Sequence, residues 1–96
     1  MDETAKQLER ETRKWLRKLE EELQKPGSRE FISQCKNGSK PARESIENMQ
    51  AYVMDCRHFL EEKRDFIRAF EAVIYAWGIW SGMRICLPFR RKHATE

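Results

Sequence analysis

A chain of 96 residues has room for one modest core and no second domain, because a chain this short buries only about two thirds of the surface it exposes when unfolded. Apolar residues make up 40% and charged residues 36%, the mixture of amphipathic helices, which excludes a disordered tail; the formal charge of +3 is too small to imply nucleic acid by itself. Cys35, Cys56 and Cys86 are odd in number, widely spaced and free of Cys-x-x-Cys pairing, so they write neither a disulfide framework nor a zinc site. A reducing cytoplasm suits them.

No basic leader followed by an apolar run opens the sequence, which argues against secretion. The longest apolar stretch, Ala72 to Met83, is bracketed by Glu71 and Arg84 and falls short of the roughly 20 residues a bilayer span requires. The expectation is a cytoplasmic protein with no membrane partner.

The first helix is predicted over about 4–24. Ala5, Leu8, Thr12, Trp15, Leu19 and Leu23 recur at steps of three and four, with Leu16 widening the stripe. The opposite face is laced with charge: residues 1–25 hold seven acids and seven bases, and Asp2 with Lys6 and Glu9 with Arg13 are acid-before-base pairs at i,i+4. A solvated face explains that charge. Lys25-Pro26-Gly27-Ser28 stops the helix, and Ser28 is a candidate cap for a successor. Between 26 and 41 the chain connects, with a short extra helical turn or two over Arg29 to Cys35 that tucks Phe31 and Ile32 onto the bundle. Asn37-Gly38-Ser39 turns it again.

The second helix is predicted over about 42–62, with Pro41 at its tolerant first turn. Ile46, Met49, Val53, Cys56 and Leu60 form a heptad seam, and Tyr52 and Phe59 lie on its flank. Asp55, His58 and Glu62 share a face turned away from that seam. An acid three residues before a histidine resembles a di-metal carboxylate motif, but no second acid-x-x-His pair completes a site, and a solvated face is the simpler explanation. Neither His58 nor His93 has a nucleophile partner evident in sequence, and no nucleophile elbow, phosphate loop or nucleotide fingerprint occurs. No enzyme and no cofactor is expected.

The third helix is predicted over about 66–87, capped by Asp65. On a wheel, Phe66, Phe70, Val73, Trp77 and Trp80 form an aromatic column and Ala69, Ala72 and Ala76 a column of small residues, suited to a distant and a close neighbour respectively. The remaining stripe is Arg68, Glu71, Tyr75, Gly78 and Gly82. Two interior glycines each cost about 1 kcal/mol relative to alanine, so they mark either a groove for another chain or a kink or end of the helix. Arg84 falls near Trp77 and Trp80, where it meets an acid or stacks on an indole unless the helix has frayed.

Tyr52, Asp55, Phe59-Leu60, Asp65, Ala69-Phe70-Glu71-Ala72, Tyr75-Ala76 and Gly78 follow in order a pattern that resembles the archaeal domain-of-unknown-function family 357, over residues 43–82. The resemblance implies an archaeal source and an all-α fold, an antiparallel three-helix bundle running up-down-up, in a family with no established activity. Where the family's pattern places glycine before the aspartate of the last turn, this chain has Arg64, which leaves the left-handed geometry of that turn open. Where the pattern runs Trp-Leu-Asp after its glycine, this chain has Ile79-Trp80-Ser81, so no role of that carboxylate carries over.

Pro88 ends helical structure, and residues 88–96 form a basic tail. Two functions are expected for the single helical domain of residues 1–96. The first is a protein-interaction or oligomerisation module, a homodimer or a complex with another protein, using Glu71, Tyr75, Gly78 and Gly82. The alternative is an RNA- or DNA-associated accessory protein whose Arg90, Arg91 and Lys92 contact phosphate.

Overall fold

The computed structural model describes residues 2–86 and contains four helices: α1 Glu3–Gln24, α2 Pro26–Lys36, α3 Lys40–His58 and α4 Phe66–Cys86. No strand occurs among the described residues. The fold is all-α, as the apolar periodicity requires, but the expected count of three helices is corrected to four. Pro26 is the reason. It cannot extend α1, yet its missing N–H and fixed φ suit a first helical turn, so the breaker that ends one helix begins the next after the single extended residue Lys25. Ser28 is therefore buried inside α2 rather than capping it.

Side chains define the other starts. Asp2 accepts a hydrogen bond from the Ala5 amide at 2.7 Å, spending on the cap the carboxylate expected to pair with Lys6. Ser39 Oγ accepts from the Ala42 amide at 3.2 Å, and Asp65 Oδ1 from the Arg68 amide at 3.1 Å.

The second predicted helix does not stay α-helical to residue 62. After His58 it widens into a π turn, Phe59–Lys63. Arg64 then adopts the left-handed conformation, φ 52° and ψ 36°, and the Phe59 carbonyl accepts both the Arg64 amide and, at 2.9 Å, the Asp65 amide. The left-handed turn is thus retained without glycine. Arg64 offsets part of its strain through Glu9, 3.7 Å away, and through the Phe66 ring, whose centroid lies 5.0 Å from the guanidinium. Arg64→Gly is expected to stabilise the fold by up to about 1 kcal/mol, the left-handed penalty less a weak exposed ion pair, whereas Arg64→Ala keeps the penalty and gains nothing. Urea unfolding midpoints of the two variants check this; equal midpoints would contradict it.

The core is built from the expected stripes. Ile46, Met49, Val53, Cys56 and Leu60 are all buried, as are Ala69, Ala72 and Ala76. From the aromatic column, Phe66, Val73 and Trp80 are buried, while Phe70 and Trp77 are partly covered. Helix α1 contributes Thr12, Leu16 and Leu19, and the Thr12 hydroxyl is satisfied by the Leu8 carbonyl at 2.7 Å. Trp77 stands edge-on to Trp15 at 6.1 Å and donates its indole N–H to the Trp15 carbonyl at 3.0 Å, fastening α4 to α1. Helix α2 is fastened through Phe31, edge-on to Trp80 at 5.6 Å, and the Arg84 guanidinium lies over both rings. Arg84 thus takes the indole alternative, on a helix that continues past Gly82.

Candidate interaction surface

Helix α4 is apolar around nearly its whole circumference, with little amphipathic contrast. One arc packs on the core, and the opposite arc faces outward with Ile67, Ile74 and Ile85 at 65%, 42% and 78% exposure and Tyr75 at 56%. Glu71, Gly78, Ser81 and Gly82 lie on the same arc and are also exposed. The residues of the predicted stripe, Glu71, Tyr75, Gly78 and Gly82, are thus all exposed, on an arc wider than the stripe itself. Its three isoleucines were missed, although their spacings of seven and eleven residues hold them within a narrow arc.

A side chain built on Gly78 or Gly82 would meet nothing within 4 Å, so neither glycine serves a close approach inside the chain. The helix neither ends nor loses its hydrogen-bonded course at them, since it runs on to Cys86. That removes the helix end from the explanations for their cost.

On the flank toward α3 the surface folds into a groove. Its upper part, about 550 Å³, is lined by Tyr52, Ile74, Tyr75, Gly78 and Ile79. The lower part, about 290 Å³, is lined by Asp55, Phe59, Arg68, Glu71 and Ala72, with the two tyrosines common to both. The tyrosine rings meet at 5.4 Å with a 50° tilt. Arg68 is turned to Asp65, 3.6 Å away, and to the face of Phe59. Arg57 and Arg64 are also engaged elsewhere, Arg57 with Glu20 and Arg64 with Glu9. Among the described residues Asp55 and Glu71 form no ion pair, so the groove carries two uncompensated carboxylates beside two phenol rings.

The remaining candidates separate. Asp55 belongs to this groove, whereas His58 pairs with Glu62, 3.3 Å from Nδ1, on another side of α3. Arg90, Arg91 and Lys92, and the whole basic tail, lie outside the described residues. Of the thiols, Cys86 is exposed and Cys35 and Cys56 are buried. Burial, with the Glu20 carboxylate, pushes Cys56 up to about 11 against the opposing pull of Arg57, and burial likewise raises Cys35 against Arg84. No helix among the described residues is long and apolar enough to cross a membrane.

Of the residues behind the resemblance, Leu60, Ala69 and Ala76 are core, Ala72 is buried at the groove's edge, and Tyr52, Asp55, Phe59, Glu71, Tyr75 and Gly78 line the groove, while Asp65 caps α4 and Phe70 is partly covered. A sequence model described as "Protein of unknown function (DUF357)" matches residues 14–85, from the middle of α1 to the end of α4. No curated protein and no solved structure matches the chain. Because that match spans well over half of its length, the chain belongs to the DUF357 family.

Proposed function

We propose that this protein is a non-catalytic interaction module that self-associates through the outward arc of α4. The observation that carries this function is the exposed line of Ile67, Ile74 and Ile85, which leaves a helix apolar on both sides covered by its own chain on only one. Gly78 and Gly82, one turn apart at the middle of that line, let a second backbone approach closely, as a helix crossing between two copies requires. In this arrangement α1, α3 and α4 form an up-down-up frame that presents α4, supported by Glu9 beside Arg64, Arg13 beside Glu61 and Glu20 beside Arg57. Helix α2 then closes the end of the frame at Trp80.

Sedimentation velocity across a concentration series tests the proposal. The full chain is expected to approach twice its 11.6 kDa mass, and Ile74→Glu to weaken association by about tenfold or more, since burying an unpaired charge against an apolar face costs over 1 kcal/mol. Gly78→Leu separates assembly from folding: with open space around it the new side chain raises monomer stability by about 1 kcal/mol, yet it obstructs the crossing and weakens association. A wild-type mass fixed at 11.6 kDa throughout the series would refute self-association.

A further inference from the structure

The groove between α3 and α4 offers two uncompensated carboxylates and exposed aromatic faces, and the same chain carries a segment of opposite character. We propose that this groove is the docking site of the chain's own Phe89-Arg90-Arg91-Lys92, bound in cis. The site lies on the α3 side of α4 and borders the line assigned to self-association, with Ile74 and Gly78 common to both.

Charge complementarity and reach argue for this occupant. Three consecutive cations match a rim holding Asp55 and Glu71, whose one arginine, Arg68, is turned to Asp65 and the Phe59 ring, and the Tyr52 and Tyr75 rings add faces on which a guanidinium can stack. Gly78 leaves the groove floor without a side chain, and Ile74 and Ile79 make its walls apolar enough for an aromatic ring. Cys86 is the last residue of α4. From there Gly78 is about 12 Å back along the helix axis, at 1.5 Å per residue, and Glu71 about 22 Å. Chain of up to about 3.6 Å per residue gives Phe89 a reach of about 11 Å and Lys92 a reach of about 22 Å before their side chains are counted. Phe89 can therefore meet Gly78 and Ile79 while the cations meet Tyr75, Glu71 and Asp55.

Nuclear Overhauser effects and amide shifts of the full-length chain provide the test. Contacts between the Phe89 ring and Gly78 or Ile79 are expected, unchanged on dilution. Two charge variants should each lose them: Asp55→Asn with Glu71→Gln, and Arg90→Glu with Arg91→Glu and Lys92→Glu. Shift changes should be confined to the tail and to Tyr52, Asp55, Glu71, Ile74, Tyr75, Gly78 and Ile79. Salt at about 0.5 M, where screening acts over about 4 Å, should weaken the same contacts. Combining the reversed tail with Asp55→Arg and Glu71→Arg should restore them, which mere loss of folding could not do. Absence of the contacts, insensitivity to salt and to both charge variants, or failure of the reversed pair to rescue would overturn the proposal. Contacts that vanish on dilution would assign the occupant to a second copy and overturn docking in cis, whatever the outcome for the isoleucine line.

Discussion

Trp80→Ala is expected to destabilise the protein by about 3–5 kcal/mol, a large share of the stability of a domain this size. Trp80 is 2% exposed, and it does three things at once. It fills the space beneath α2, gives Phe31 an edge-to-face partner at 5.6 Å, and supplies one of the two rings under the Arg84 guanidinium. Truncation leaves a cavity whose lining loses its contacts outright, and it strands Phe31, the most deeply buried apolar side chain of α2. Trp77→Phe is the contrast. Trp77 is only partly covered, and phenylalanine keeps most of its contact with Trp15 while losing one hydrogen bond to a carbonyl, so the loss should be about 1 kcal/mol. Urea denaturation of both variants measures the difference. Similar losses for the two would show that Trp80 does not anchor α2.

What could be read from sequence follows from where amphipathic contrast exists. The α3 seam from Ile46 to Leu60 alternates with charged residues, so its buried face was legible, and every member is buried. The alanine column of α4 was legible for the same reason that it packs: three small residues on one arc leave room for a close neighbour. On the other side of α4 the contrast fails. Apolar residues on both arcs leave the wheel with little polar reference, so Ile67, Ile74 and Ile85 passed unassigned although they dominate the exposed surface.

Local backbone events were harder to read than faces. The π turn over Phe59–Lys63 adds no unusual residue to the sequence; it accommodates the chain between a seam that must end at Leu60 and a cap that must fall at Asp65. Arg64 in the left-handed region runs against its residue type, and it is held there by the carbonyl of Phe59 and by contacts with α1 that lie far away in sequence. Helix α2 was foreseen as a turn or two because Pro26 and Gly27 read as breakers. Its full length depends on Phe31 and Cys35 finding Trp80 and Arg84, which is tertiary information. The groove was legible only in halves. Glu71, Tyr75 and Gly78 were singled out on one helix, while Tyr52 and Asp55 were known on the other with nothing in the sequence to join them.

Stability should also fall on the alkaline side of neutrality, and Cys56 is one group that makes it fall. In the unfolded chain this thiol ionises near its ordinary value of 9.0; in the fold, burial and the nearby Glu20 carboxylate push it up to about 11. Below pH 9 both states hold the proton, and the contribution to stability is fully present. Between about 9 and 11 the unfolded chain releases the proton and the folded chain keeps it, so the unfolded state binds fewer protons and stability falls by about 1.4 kcal/mol per pH unit. The full loss reaches about 3 kcal/mol near pH 11. The diagnostic quantity is the difference in slope between the wild type and Cys56→Ala. The variant loses about 1 kcal/mol at neutral pH through its smaller side chain, but its alkaline decline should be shallower, so the two curves should cross between about pH 9 and 10 and leave the wild type the less stable toward pH 11. Urea unfolding at intervals from pH 8 to 11 measures both curves. Parallel curves would mean that Cys56 ionises alike in the two states, and the buried thiol would then have no part in the alkaline limit of the fold.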